Sequence, residues 1–581
     1  MKTILTTLNA KYIHTSLALR WLYVANKDRF DISFKEFVCK EELRKMASEL
    51  LATDPDIIGI GIYIWNIDRS MELASLLKAH KPELILIAGG PEVSYEPEYF
   101  LQNGTIDFII SGEGEFVLGQ LLSALANNPS GDFANIQLES VSHLHRINKT
   151  IAKADLMKLS GLPSPYRLDE DRDNPKNRLI YFETSRGCPF QCQYCLSSLA
   201  RDIRYFPYEH IFQNLEYLIE NGARQVKFLD RTFNLDQNHA FVLFEFLIAR
   251  YKPGLTFQFE MVADLLTDEL IHYLNESAPP HYFRFEIGIQ STYEPTTRAV
   301  RRKQNFELVA AQIQKLTAGR KVDLHLDLIA GLPHETFERF KRSLNDVFDL
   351  GAKEVQLGFL KMLRGTTLRQ NAELYGYQYN KKAPYEIIRN DCLTVEEIKR
   401  LHDVEQTLET YWNSGKFKRT LTKLFDSAYK NRYFDLFDDI AYFTSLLPPP
   451  SLRGTAFSRE QSVAEPNIRL EDRFLQLHHL LLSKDINLFN ELREDYYTCY
   501  KIRPHGFWEN RIEKKKLKQL RYQIGNDKDF LKIHRLNRQI IEKQTAIDIF
   551  DENQLLLTVF CTDGSRENPL FLPYPTRRIQ N

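Results

Sequence analysis

Residues 183–198, ETSRGCPFQCQYCLSS, place Cys188, Cys192 and Cys195 within eight positions. Thiolates at that density on one short loop cannot all point into a core, but they can converge on one iron–sulfur cluster. Three ligands for a cubane of four irons leave one iron open to an external ligand, and that iron is where chemistry can happen. A structural zinc site commonly takes four ligands in CxxC pairs. The spacing here is CxxxCxxC, and Cys39, Cys392, Cys499 and Cys561 are scattered singly, so a zinc site completed by a distant His or Cys is the minor alternative. Ferredoxin-type spacing fails as well, because no fourth cysteine is followed by proline.

Outward from this loop, an apolar run at 179–183 reads as the strand that delivers it. Further apolar strands are expected at 225–230, 255–260, 283–290, 324–330 and 354–360, separated by helical patterns such as 208–221, 237–249 and 306–317. Six β–α units in sequence predict a (β/α)6 partial TIM-type barrel, with its active site at the carboxyl ends of the strands. Upstream, the stretch 168–178 (LDEDRDNPKNR), preceded by Pro163 and Pro165, reads as a linker. Before it, strands at 2–7, 32–38, 57–63, 84–88 and 108–111 alternate with helices at 16–27, 40–52 and 69–80. That alternation predicts a doubly wound parallel sheet of flavodoxin-like order, with ligands at the carboxyl ends of its strands. The loops there are 9–15 (NAKYIHT), 63–66 (YIWN), 89–94 (GGPEVS) and 111–115 (SGEGE). Paired glycines let backbone approach a large ligand, although any such fold also needs tight turns.

From about 375 the pattern is mostly helical, as in 394–412 and 474–482, broken by Pro448–Pro450 and the polar run 458–466. Runs at 555–561 and 570–572 flank Thr562-Asp563-Gly564-Ser565 as a hairpin. The basic stretch 511–521 reads as a solvated helix face, with nucleic-acid contact a minority reading. The expected architecture is α/β: sheet domain 1–140, linker 141–178, barrel 179–372 and a mostly helical extension 373–581 that caps the barrel mouth.

Composition bounds the function. The 581 residues carry 76 basic against 77 acidic side chains, which gives no electrostatic case for nucleic acid or an anionic membrane. Seven cysteines, three of them clustered, are no disulfide framework and fit a reducing compartment. The N-terminus has no signal-peptide core, and no apolar run approaches the ~20 residues that span a bilayer. A cytoplasmic protein is expected.

CxxxCxxC with Tyr194 before the last cysteine resembles the radical S-adenosylmethionine superfamily, over roughly 175–370. The order GGP…SGEGE resembles the cobalamin-binding domains that precede such barrels, in a class B, methyltransferase-like arrangement. The extension resembles one found in a subgroup of these enzymes, for which the resemblance assigns no activity. It implies that the three cysteines hold a [4Fe–4S] cluster whose open iron takes the amino and carboxylate groups of S-adenosylmethionine, which one electron cleaves to methionine and a 5′-deoxyadenosyl radical. It implies S-adenosylmethionine contacts from Tyr194, Asp230 (near the methionine amine), Glu260 (ribose hydroxyls), Glu286, Gln290, Arg301 or its neighbour Arg302 (methionine carboxylate) and Gly331 (adenine). Glu286 and Gln290 also read as members of a hydrogen-bonded layer inside the barrel, and one of the arginines as part of a solvated helix face. For cobalamin, it implies contacts from Tyr12, Tyr63, Trp65, Gly89, Gly90, Pro91, Ser94, Gly112, Glu113, Gly114 and Glu115. The Asp-x-His-x-x-Gly motif that ligates cobalt from below is absent, and His14 reads as a loop histidine.

The resemblance implies methylation of an unactivated carbon, with one S-adenosylmethionine methylating the corrin and a second generating the radical. An electron donor such as flavodoxin or ferredoxin is a further implication, and the substrate is not legible. Alternatives are a cyclisation, rearrangement or oxidation without methyl transfer, and a non-catalytic cobalamin or redox sensor. Methylthio transfer is disfavoured, because its enzymes carry three more cysteines in a first domain that here has only Cys39.

Overall fold

The protein is described here by a computed structural model covering residues 1–128, 133–169, 175–446, 468–500, 512–549, 553–560 and 569–579. It divides into two compact units, Met1–Ile398 and Lys399–Asn581.

The first unit opens with strands β1 (Thr3–Asn9), β2 (Ile32–Val38), β3 (Ile57–Gly61), β4 (Ile85–Gly89), β5 (Phe108–Ile110) and β6 (Val141–Ser142). Their order is β2-β1-β3-β4-β5-β6, the flavodoxin-like order with one antiparallel strand added. Every residue of β1 is buried, as expected of a parallel strand covered on both faces. Helices α1 (Leu17–Asn26), α2 (Leu43–Leu51), α3 (Ile67–His80), α4 (Pro97–Leu101) and α5 (Glu115–Ala126) supply the cover. Ile58 and Ile60 pack with Met46 and Leu73 on one face, and Leu5 and Ile87 with Leu19 and Leu118 on the other. Helix α1 starts at Leu17 because the Ser16 hydroxyl accepts the Leu19 N–H at 3.3 Å.

The expected linker is partly structured. β6 pairs with β5, and the Ala152 N–H donates to the Ser111 carbonyl at 2.8 Å, so chain beyond 140 completes the first sheet. Strand β6 is two residues long, too short for a periodicity to register. Part of the 168–178 stretch lies outside the described residues.

The second sheet contains β7 (Leu179–Phe182), β10 (Gln225–Phe228), β11 (Thr256–Met261), β12 (Phe283–Gln290), β13 (Asp323–Ala330) and β14 (Glu354–Phe359), all parallel and in sequential order. Between β7 and β10 lie the short antiparallel partners β8 (Ser185–Arg186) and β9 (Arg204–Tyr205). Burial alternates along β12 and β13. Phe283, Phe285, Ile287 and Ile289 are buried, while Arg284, Glu286, Gly288 and Gln290 line the opposite, polar face. The Lys227 ammonium donates to Glu286 at 2.6 Å there, and Arg284 pairs with Glu354 at 2.8 Å.

Residues 373–398, expected in the extension, belong to this first unit. β15 (Gln378–Tyr379) and β16 (Ile387–Arg389) pair with each other, and the Ile387 N–H donates to the Leu360 carbonyl at 3.1 Å. The second unit is mostly helical, with Tyr433–Leu446, Leu470–Ser483 and Phe489–Cys499 among its helices. Its antiparallel sheet is β17 (Thr545–Ile549), β18 (Gln554–Val559) and β19 (Leu570–Pro575). The expected hairpin is the pair β18 and β19, and its turn and Cys561 lie outside the described residues. The runs 448–450 and 458–466 and Arg511 lie outside them too. The rest of the basic stretch joins the helix Lys514–Asn526, whose Leu520 and Ile524 pack on this sheet.

Candidate active site

The cysteine loop leaves the end of β7 and is tied down by backbone. The Cys188 N–H donates to the Ala200 carbonyl at 2.8 Å and the Gln193 N–H to the Val300 carbonyl at 2.9 Å. Cys188 and Cys192 are buried, Cys195 is half-buried, and all six described cysteines are free. Burial pushes the Cys188 thiol up, and Thr232 Oγ1 stands 3.9 Å from its sulfur. Arg302 Nη1 lies 3.9 Å from the Cys192 sulfur, a cation placed where thiolate charge gathers.

Among the described residues no three His, Cys, Asp or Glu side chains gather around a single ion. Three thiolates on one loop suit a cubane, which takes each on a different iron.

The other residues expected at this end separate into those at the strand ends and those elsewhere. Glu260, next to last in β11, is partly exposed and accepts a hydrogen bond from Arg231 at 3.3 Å. Glu286 is in register with Glu260 and paired to Lys227. Gln290 ends β12 at φ +70, a left-handed conformation in a non-glycine residue, with its buried Oε1 unpartnered. Such strain collects where a side chain is held for a purpose. Tyr194 lies close to Arg302, Cys192 and Cys195, and burial pushes its hydroxyl up.

Three expectations are corrected. Asp230 does not face the mouth. It is fully buried beneath the loop, where it accepts from the Thr184 N–H at 3.0 Å and the Ser185 hydroxyl at 2.6 Å, and burial pushes its carboxyl up to about 6. Of the two arginines, Arg302 reaches the cysteines, and Arg301 turns to solvent at φ +54. The expected helix stops at Ala299, which sends consecutive residues in different directions. At Gly331 the side an added Cβ would take is filled, with Ile387 Cδ1 1.9 Å from that position. The Gly331 carbonyl instead accepts from Tyr377 Oη at 2.8 Å and Asn390 Nδ2 at 3.0 Å.

The glycine loops of the first sheet form a second candidate site. A cavity of about 360 Å³ is walled by Gly89, Gly90, Pro91, Ser94, Gly112, Glu113, Gly114, Glu115 and Tyr63, and reaches inward to Gly59 and Gly61. Its barrel side is Glu183, Arg186 and Leu229. A Cβ on Gly90 (φ +107) would meet the Ile62 carbonyl at 2.5 Å, and one on Gly112 (φ +93) the Ala152 carbonyl at 2.5 Å. Only glycine holds both turns. Ser94 Oγ pins the loops together, donating to the Gly90 carbonyl at 2.8 Å and accepting from the Gly112 N–H at 3.1 Å. The apolar inner slot suits a flat heteroaromatic group and the open glycine rim a larger polar body, so the residues present fit a corrin with a nucleotide tail.

Tyr12 and Trp65 are not on this wall. Trp65 stacks on Tyr63 at 4.5 Å, and its Nε1 donates to the Leu8 carbonyl at 3.2 Å. Tyr12 stands under the Arg178 guanidinium, at a separate cavity of about 740 Å³. His14 Nδ1 is 2.9 Å from Tyr181 Oη, so the loop histidine serves the contact between sheet and barrel.

Two arginine clamps hold the glycine loops. Arg186 pairs with Glu113 at 3.0 Å, Glu115 at 2.8 Å and Glu183 at 2.8 Å. Arg364, 4% exposed, pairs with Glu92 at 2.9 Å and with Glu96, beside Tyr385. These pairs join positions up to 272 residues apart, and local sequence carries no signal for them.

Comparisons with known proteins agree with this anatomy. Residues 4–122 match the B12 binding domain, 182–347 the Radical SAM superfamily, and 373–563 a family described as Protein of unknown function (DUF4080). The chain is 25% identical over 315 residues to 2-(S-pantetheinyl)-carbapenam-3-carboxylate methyltransferase of Streptantibioticus cattleyicolor, covering 52% of this chain and 46% of that protein. It is 24% identical over 349 residues to the cobalamin-dependent radical SAM methyltransferase TokK of Streptomyces tokunonensis, covering 57% and 51%. The chain thus spans about half the length of these relatives. Among solved structures, apo OxsB, a cobalamin-dependent S-adenosylmethionine radical enzyme, aligns with a TM-score of 0.60 at 16% identity, over 85% of this chain and 83% of that one. TsrM from Kitasatospora setae, with cobalamin and a [4Fe–4S] cluster bound, aligns at 0.54 and 17%, over 69% and 85%. At such identities the likeness is one of fold.

Proposed function

As a radical S-adenosylmethionine protein with a B12-binding domain ahead of its barrel, the chain, we propose, is a cobalamin-dependent methyltransferase acting on an unactivated carbon. The observation that carries this reading is the shared wall. The cavity of the glycine loops opens onto Glu183 and Arg186, the residues that lead directly into Cys188. When bound, the cluster with S-adenosylmethionine supplies one-electron cleavage of a sulfonium, and cobalamin supplies a transferable methyl group.

The chain's own residues position and enclose. Cys188, Cys192 and Cys195 offer three thiolates, and Arg302 sets a positive charge beside Cys192. Glu260, near the end of β11, and Gln290, held in its strained turn, present polar atoms at the strand ends. The glycine loops share a cavity wall with Glu183, Arg186 and Leu229 at that end of the barrel. Deeper in the barrel stand Lys227 with Glu286 and Arg284 with Glu354. A hydrocarbon substrate would strip these charges of solvent without replacing it, so the reading favours a hydrogen-bonding substrate. A low-potential carrier such as flavodoxin or ferredoxin is the proposed reductant, and the reducing cytoplasm the proposed compartment. Among the described residues no helix is long and apolar enough to cross a membrane.

Anaerobic expression with cobalamin supplied, followed by iron, sulfide and corrin analysis, tests the reading. Bound corrin with a four-iron cluster, and 5′-deoxyadenosine released on adding S-adenosylmethionine and dithionite, are expected. Absence of corrin overturns the methyltransferase reading. Undiminished cleavage by Cys192→Ala overturns the cluster assignment.

A further inference from the structure

Arg186 is the fork of a five-residue charge cluster shared by both candidate sites. Its Nη1 meets Glu113, its Nη2 meets Glu115 and Glu183, and Arg204 also pairs with Glu113. Two guanidinium groups thus face three carboxylates, a surplus of one negative charge in a buried place. The surplus has an address. Glu115 Oε2 is buried without a hydrogen-bond partner, on a side chain that lines the 360 Å³ cavity. A buried carboxylate oxygen left this way costs free energy until a donor reaches it.

On its other side Arg186 is one residue from the cysteine loop. The intervening Gly187 has φ +106, and an added Cβ would stand 2.2 Å from the Asp202 carbonyl. Arg186 pairs in register with Arg204, and Cys188 is tied to Ala200. No slack remains between the guanidinium and the first cluster cysteine.

We propose that Arg186 is a positioning residue that couples occupancy of the glycine-loop cavity to the cysteine loop. This rests on the cobalamin reading above. A corrin carries amide side chains, and an amide N–H donated to Glu115 Oε2 gives that oxygen the donor it lacks. The Arg186 fork then settles on Glu113 and Glu183, and through Gly187 fixes where Cys188 presents its sulfur. By linkage, a filled cluster site must tighten the cavity for its ligand by the same factor that a filled cavity tightens the cluster site.

The test is hydroxocobalamin titration of the full chain, anaerobically, with the cluster reconstituted and with it removed. In the wild type the Kd is expected to be on the order of tenfold tighter with the cluster present, and the iron Mössbauer spectrum to change on adding hydroxocobalamin. In Arg186→Gln the ligand still binds, but the ratio of the two Kd values falls to about one and the spectrum no longer responds. Arg186→Lys, which keeps the charge and loses the fork, behaves like Gln. A merely structural role would weaken both Kd values together and leave their ratio unchanged. If Arg186→Gln does not fold, Glu115→Gln carries the same expectation from the other side of the pair. A wild-type ratio in the variants, or a ratio of one in the wild type, overturns the coupling while leaving the cobalamin reading standing. No binding by the wild type overturns both.

Discussion

Thr184 joins two buried ionisable side chains beneath the cysteine loop. Its hydroxyl donates to Asp230 and accepts from His239 Nε2 at 2.9 Å, while Tyr208 Oη stands 3.2 Å from His239 Nδ1. Burial pushes Asp230 up to about 6 and His239 down to about 4. The two act oppositely on stability. Between the unfolded carboxyl value near 3.8 and about 6, the folded state holds the extra proton on Asp230, so stability falls as pH rises through that window. For His239 the unfolded state holds the extra proton between about 4 and 6.5, so stability falls as pH drops. Asp230→Asn removes the first effect alone. Its penalty relative to wild type is expected to shrink by on the order of 1–3 kcal/mol between pH 4 and pH 7, read from urea unfolding at both values. A penalty independent of pH would show that Asp230 is ionised throughout. Asp230 was legible as a strand-end acid. Strand β10 ends at Phe228, two residues short of the expected end, and Asp230 keeps the parity of the buried Val226 and Phe228, so its carboxylate lies on their buried side.

The elements that carry the site were largely written in alternation. Eight-residue strands such as β12 and β13 show it best, with apolar residues at every second position. What alternation does not contain is the pairing between distant loops. Arg364 follows β14, and Glu92 follows β4, yet the two meet at 2.9 Å with both side chains buried. Stacking under Tyr99 and Tyr385 fixes the guanidinium plane. Arg364→Met leaves Glu92 without its counter-ion, and is expected to cost about 3–5 kcal/mol. Arg364→Met with Glu92→Gln removes the stranded charge and should recover a large part of that loss, read as a partial return of Tm. Equal losses in the single and double variants would place the effect in packing, not in charge. The segment 377–390, which carries Tyr385 into this cluster, escaped a reading because its strands are two and three residues long.

At the scale of the whole molecule, every candidate cofactor residue belongs to Met1–Ile398, which carries both parallel sheets and both clamps. A chain ending at residue 398 is therefore expected to fold, to take up a four-iron cluster on anaerobic reconstitution, and to bind hydroxocobalamin. Loss of the cluster absorbance in that truncated chain, with far-UV circular dichroism retained, would show that the second unit is needed for cofactor retention. The second unit has its own core around Ile524, Ile547 and Leu557, and the match at residues 373–563 begins within the first unit, at the segment that packs against Gly331. A family boundary drawn from sequence thus cuts across the packing.

β7 is an outer strand of its sheet, and an outer strand displays unpaired N–H and C=O groups that can recruit a strand from another chain. Here the loop after β1 occupies that edge. Leu179 donates its N–H to the Ile13 carbonyl at 2.7 Å and its carbonyl accepts from Thr15 Oγ1 at 3.2 Å, while His14 forms a parallel bridge to it. The start of the barrel is thereby closed to edge-to-edge association. Displacing residues 9–15 would uncover a sticky β-edge, so their contact with β7 guards solubility as well as geometry.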